Sequence, residues 1–289
     1  MLTGSPAGRP IMVLGAGGQL GCALVEQLSS SAAVHACHRS ELDITDTAAV
    51  SAAVVRERPS VVINCSAFTD VDAAEERQDE ALRVNGIAVG VIARAAAAVN
   101  ASFVHYSTDF VFAGREDRVW REDDLTEPLG VYAQSKLVGE WLAADCPRHY
   151  VLRVESLFGG PQRKSTIDRI VTSLRDGREM KLFRDRTVSP SFVDDVAWAT
   201  AQLLAGNAEP GVYHCVNSGG TTWLGIGEAI ASRLGVDRRL LVAASVNDVK
   251  MKAARPQYAA LSNAKLAAAG VSMPAWEEAL ARYLGRLPA

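Results

Sequence analysis

The chain has 289 residues, 48% of them hydrophobic, and a net charge of −3 at pH 7. That is enough apolar material for one large core or two joined lobes. It carries no Lys/Arg-rich cluster, which argues against a nucleic-acid or membrane-surface partner, and no apolar run approaching the ~20 residues of a bilayer span.

Strands and helices alternate from the start. Residues 1–9 read as a flexible lead-in. Ile11-Met12-Val13-Leu14 is a continuous apolar run, as in a parallel strand buried on both faces. Then come a helix over 19–28, a strand over 33–37, a helix over 45–58 and a strand over 60–64. The Ala-rich stretch 79–100 predicts a long helix, 102–106 a strand, 131–144 a helix and 150–154 a strand. Repeated β-α-β units give a Rossmann-type, doubly wound α/β sheet whose ligands bind at the carboxyl ends of the strands. Past residue 154 the pattern loosens. Helices are expected over 165–176, 192–205, 223–234 and 275–284, with short strands over 180–183, 211–216 and 240–244. The expected division is a dinucleotide-binding domain over 10–153, which takes back segments from about 185–217, and a smaller α/β substrate lobe over 154–289.

The five cysteines (22, 37, 65, 146 and 215) form no Cys-x-x-Cys and read as core thiols of a reducing cytoplasm. The five histidines lack helical metal-ligand spacing, so no metal is expected.

Two motifs carry chemistry. Gly15-Ala16-Gly17-Gly18-Gln19-Leu20-Gly21 follows the first strand and opens a helix. Gly15 serves the tight turn, Gly18 the close approach of a pyrophosphate and Gly21 helix–strand packing, while the helix N-terminus offers free N–H groups. Gln19 and Leu20 belong to the same loop. At the end of the second strand stands Arg39, not an acid. It suits a 2′-phosphate and hence NADPH over NADH, or it is a solvated loop residue. Asp43 and Ile44 flank the adenine edge, and Cys65, Ser66 and Ala67 let the cofactor approach the third strand's end.

Tyr132 and Lys136 share one helical face. A lysine there is expected to lower the phenol's pKa, fitting Tyr132 to protonate a carbonyl oxygen as hydride reaches the carbon, while Lys136 also binds the nicotinamide ribose. Thr108, ending the preceding strand, orients the carbonyl. Ser107 shares that role or caps a turn. Asp109 orders the loop and borders the substrate, and Thr69 touches substrate from the neighbouring edge. Asn85, a poor helix former, binds backbone or water near the site or faces solvent.

Together with Asn64-Cys65-Ser66-Ala67-Phe68-Thr69, Tyr106-Ser107-Thr108-Asp109-Phe110-Val111-Phe112 and Glu127-Pro128…Tyr132…Lys136…Gly139-Glu140, these motifs resemble the dTDP-4-dehydrorhamnose reductase family of extended short-chain dehydrogenases/reductases. The likeness runs from about residue 11 to residue 285. It implies NAD(P)H-dependent reduction of the 4-keto group of a dTDP-linked 6-deoxyhexose, with Thr108, Tyr132 and Lys136 catalytic. The expected partner is a nucleotide-sugar substrate, and a homodimer is the candidate assembly. Arg255 matches a family position in the substrate lobe, where it meets a diphosphate or a structural ion pair. Two departures concern the substrate. The family's Arg-Thr-Ser-Trp reads Arg153-Val154-Glu155-Ser156, which puts Glu155 toward substrate, and Asp185-Arg186-Thr187-Val188 lacks the usual Gln and Gly. The competing readings are an epimerase or dehydratase of the same superfamily, against which Phe110 stands where a Glu is typical, and a non-catalytic regulatory subunit.

Overall fold

A computed structural model gives the fold and describes residues 8–288. Most of the flexible lead-in expected over residues 1–9 lies outside the described residues. Arg9, at its end, is tied down: its guanidinium donates to the carbonyls of Arg58, Pro59 and Val99 at 2.5–2.7 Å.

The first half builds β1 (Ile11–Leu14), α1 (Gln19–Ser29), β2 (Val34–Cys37), α2 (Thr47–Glu57), β3 (Val61–Asn64), α3 (Val71–Ala74), α4 (Gln78–Leu82), a π turn (Arg83–Ile87), α5 (Ala88–Ala98), β4 (Ser102–Thr108), α6 (Val131–Ala143) and β5 (His149–Val154). The second half adds β6 (Leu157–Phe158), α7 (Thr166–Arg175), β7 (Met180–Phe183), β8 (Thr187–Val188), β9 (Ser191–Phe192), α8 (Val193–Ala205), β10 (Gly211–His214), β11 (Thr221–Thr222), α9 (Trp223–Leu234), β12 (Leu241–Ala244), α10 (Ala264–Ala268) and α11 (Trp276–Gly285).

Six strands form one sheet in the order β10-β5-β4-β3-β1-β2, with every pair parallel. Strand order reverses between β1 and β3, so the crevice for a ligand opens there. Alternation within β1 shows why its sequence is apolar throughout. Ile11 and Val13 face the core shared with α1 and α8, while Met12 and Leu14 face the core shared with α2 and α5. β10 completes the sheet from the second half, and α8 packs on α1. The remaining strands make three two-stranded pairs, too short to leave a periodic signal.

The long predicted helix is continuous over Gln78–Ala98, but its middle widens into the π turn. At 21 residues with a mean hydropathy of 1.4 it is long and apolar enough to cross a bilayer, contrary to the sequence expectation. Its buried face packs against α2 and α6. The π turn lies where α6 comes closest, since a Cβ on Gly139 would sit 2.2 Å from the Asn85 carbonyl oxygen.

Candidate active site

Two clefts open along the carboxyl edge of the sheet. The first, of about 460 Å³, is lined by Gly15, Gly17, Gly18, Arg39, Asp43 and Ile44, by Cys65–Ala67, and by residues from the π-turn region. Its floor tolerates no side chain. Gly15 has φ +74°, and a Cβ there would lie 2.7 Å from the Ser66 hydroxyl, while one on Gly17 would lie 2.9 Å from His38. Gly21 packs inward, where a Cβ would meet the Gly15 carbonyl oxygen at 2.3 Å. α1 begins at Gly18 with no side-chain cap and no acid in its first turn, leaving its N–H groups and partial positive charge for an anion. A backbone cradle, an uncapped helix and a long slot between strand ends fit a dinucleotide.

Arg39 is 82% exposed and lies 3.8 Å from Asp43, free to turn toward a phosphate. Hydrogen bonds from Thr45, then the charge of Arg39, hold the Asp43 carboxyl below its ordinary value. Gln19 and Leu20 do not line this cleft. Gln19 instead donates to the Gly159 carbonyl at 2.9 Å, joining the loop to the second half, and Leu20 is core. Sequence reading missed Ser40, Leu42, Phe68, Glu80 and Val84. Phe68 is held there by Asn85, which is fully buried and clasps the Phe68 backbone N–H and carbonyl at 2.8 and 3.0 Å while donating to the Ser135 hydroxyl at 3.0 Å.

The second cleft, of about 340 Å³, brings Thr69, Thr108, Asp109, Tyr132 and Glu155 together, with Ser107 and Ser156. Strand register explains the gathering. Thr108 pairs with Val154 across β4 and β5, so Asp109 and Glu155 leave the sheet side by side. The Thr108 hydroxyl donates to Asp109 at 3.0 Å and accepts from the Phe110 N–H at 3.2 Å. Tyr132 stands edge-on to Phe110, ring centroids 5.5 Å apart.

The expected lowering of the Tyr132 pKa by Lys136 is not met. Burial pushes the phenol up to about 12, opposed by a hydrogen bond with Thr108 and reinforced by the charge of Asp109. Lys136 is buried too, and it donates to the Tyr106 carbonyl at 2.5 Å with His105 Nε2 at 3.4 Å. Burial lowers its pKa to about 8, against the pull of Glu140 and Cys65. Loss of solvent is the largest influence on both groups.

Arg255 does not line this cleft. It grips Asp72 through two hydrogen bonds of 3.0 and 2.7 Å and donates to the Ala253 carbonyl, which is the ion-pair arrangement. Ser156, at the family's Trp position, has φ +45°. Trp223, from the first turn of α9, joins Phe110 and Tyr132 in the cleft wall, and no local motif announces it. Beside the cleft, Arg153 and Glu140 form a buried bidentate pair at 3.0 and 2.8 Å.

The model of the RmlD substrate binding domain matches residues 9–288. The chain belongs to this family. It is 37% identical to dTDP-4-dehydrorhamnose reductase of Streptomyces griseus, over 96% of this chain and 93% of that one. It is also 32% identical to the spore coat polysaccharide biosynthesis protein SpsK of Bacillus subtilis, over 95% and 96%. The crystal structure of dTDP-4-dehydrorhamnose reductase from Bacillus anthracis in complex with NADP superposes with a TM-score of 0.91 at 28% identity, covering 96% and 99%. RmlD-family proteins are NAD(P)-dependent oxidoreductases that act on the 4-keto group of nucleotide sugars.

Proposed function

We propose that this protein reduces the 4-keto group of a dTDP-linked 6-deoxyhexose with NADPH, dTDP-4-dehydro-L-rhamnose giving dTDP-L-rhamnose, in a reducing cytoplasm. The observation that carries the reading is that both clefts open at the carboxyl edge of the one sheet. The Thr108 and Tyr132 hydroxyls line one, and the glycine cradle lines the other at the same sheet edge. Gly15, Gly17, Gly18 and the N-terminus of α1 would hold the pyrophosphate, Arg39 the 2′-phosphate and Lys136 the nicotinamide ribose. The bound cofactor supplies hydride.

Thr108 turns its hydroxyl proton from Asp109 to the substrate's carbonyl oxygen and fixes its direction. Tyr132 gives its phenolic proton to that oxygen as negative charge develops. A phenol pushed up to about 12 stays protonated at neutral pH, as a proton donor must, and the ammonium of Lys136 stabilises the phenolate that remains. Arg39 is the support for NADPH over NADH.

Purified protein should oxidise NADPH in the presence of dTDP-4-keto-6-deoxyhexose. Tyr132→Phe should lose roughly 10²- to 10⁴-fold in turnover while binding NADPH within about tenfold of the wild type. An undiminished rate in that variant would sink the assigned proton donor.

A further inference from the structure

Among the described residues, five buried side-chain polar atoms have no hydrogen-bond partner, and three of them, Ser107 Oγ, Asp109 Oδ2 and Glu155 Oε1, belong to residues that line the second cleft. Each parent residue is only 2–3% exposed. Buried oxygens are almost always paired, so three orphans in one cleft of about 340 Å³ mark a surface whose partners arrive with a ligand.

The other oxygen of each carboxyl is already committed. Asp109 Oδ1 accepts from Thr108 at 3.0 Å and Glu155 Oε2 accepts from the Ser189 N–H at 2.6 Å. Both side chains are thereby fixed with one oxygen free. Arg186 attracts both carboxyls but forms no ion pair with either among the described residues. Its guanidinium lies 5.6 Å from the Phe110 ring centre, and its Nε donates to the Pro256 carbonyl at 3.2 Å. Burial, then the neighbouring carboxylate, pushes Glu155 well above its usual range, and burial pushes Asp109 up to about 6. Val154, Leu157, Ile167 and Trp223 add apolar surface to the same cleft.

Resting on the keto-sugar reading, we propose that Ser107, Asp109 and Glu155 form a hydrogen-bonding wall for hydroxyl or ammonium groups on the hexose of the nucleotide sugar. Glu155 then selects sugars that carry such a group over their deoxygenated counterparts. Thr108 and Tyr132 attend to the oxygen at C4, so the wall meets a substituent at another carbon. Glu155 is a specificity residue in this scheme and takes no part in hydride or proton transfer.

The test is calorimetric binding to the full chain saturated with NADP⁺. The ligands are dTDP, dTDP-glucose and its derivatives deoxygenated at C2 or C3, each measured with wild type, Glu155→Gln and Glu155→Ala, with folding of each variant checked by thermal melting. In wild type, one deoxygenation should weaken binding about tenfold or more, and in Glu155→Ala that difference should shrink to within about twofold. A dTDP-aminohexose separates the two donor chemistries. Its affinity should rise with pH through about 6 if the wall prefers an ammonium, and should stay level if it prefers a hydroxyl. Equal binding of every deoxygenated ligand to wild type, or an unchanged loss in Glu155→Ala, overturns the wall. Binding of NADP⁺ with no binding of dTDP or any dTDP-sugar overturns the nucleotide-sugar reading itself.

Discussion

Two buried acid–guanidinium clusters flank the end of β5, and they differ in one respect. In the first, Arg153 meets both oxygens of Glu140, and its third nitrogen reaches the Glu122 carbonyl at 3.4 Å. In the second, Asp109 and Glu155 face the cleft with one oxygen each unpaired, and Arg186 stands back from both. Burial of charge is common to the two. A fully paired cluster has no capacity left for a ligand, whereas a half-paired one leaves capacity that the fold itself does not use. The first reads as framework that holds α6 against β5, and hence Tyr132 against Thr108. The second reads as site.

The largest expected effect tests this division. Arg153→Ala leaves Glu140 buried without its partner and should destabilise the protein by about 3–5 kcal/mol, seen as a lower midpoint in denaturant. Glu155→Gln removes an unpaired acid, so its midpoint should stay level or rise while ligand binding changes. The reverse order, with Glu155→Gln the more damaging to stability, breaks the comparison.

A second, smaller effect concerns pH. Asp109 and Glu155 have folded-state pKa values raised above their unfolded ones, so between these values the native state binds more protons than the unfolded state. Their contribution to stability is therefore full below about pH 4, and it is lost as pH rises through about 6 for Asp109 and through the raised range of Glu155. Denaturation midpoints measured from pH 4 to pH 8 should show this falling component in wild type, and it should flatten in Glu155→Gln. An identical profile in the variant removes the coupled pair from the account.

The smallest stability effect belongs to an exposed charge. Arg39, 82% exposed beside Asp43, should change stability by less than about 0.5 kcal/mol on mutation to alanine. The same change should weaken NADPH binding about tenfold and leave NADH nearly unaltered. Equal losses for both cofactors would return Arg39 to a solvated loop residue.

The cofactor half was more legible in the sequence than the substrate half, and the reason is range. Gly15, Gly18 and Gly21 act within one strand–turn–helix unit, so spacing alone carries their geometry. Phe68 and Val84 line the same cleft only because Asn85, in the π turn, holds the Phe68 backbone from 17 residues away. No local pattern marks that turn. In the substrate cleft, Glu155 stands out as a departure from family pattern and Asp109 by its place after Thr108, but their meeting side by side follows from the β4–β5 register, and Trp223 comes from α9. Tyr132 and Lys136 were found by helical spacing, yet the direction of the Tyr132 shift was misjudged because spacing does not report burial. Arg255 was seen as a candidate for diphosphate, and its partner Asp72 lies 183 residues away.

The central claim is that Tyr132 and Thr108 present a C4 ketone to a cofactor seated on the glycine cradle. The most direct measurement follows deuterium from NADPH deuterated at nicotinamide C4, used as each of its two stereoisomers, into the product of a dTDP-4-keto-6-deoxyhexose, read by mass and NMR spectra. The account predicts one deuterium per turnover, carried at sugar C4 and delivered from one stereoisomer only. Binding of NADPH with no deuterium reaching the sugar, or deuterium at any other carbon, would contradict it.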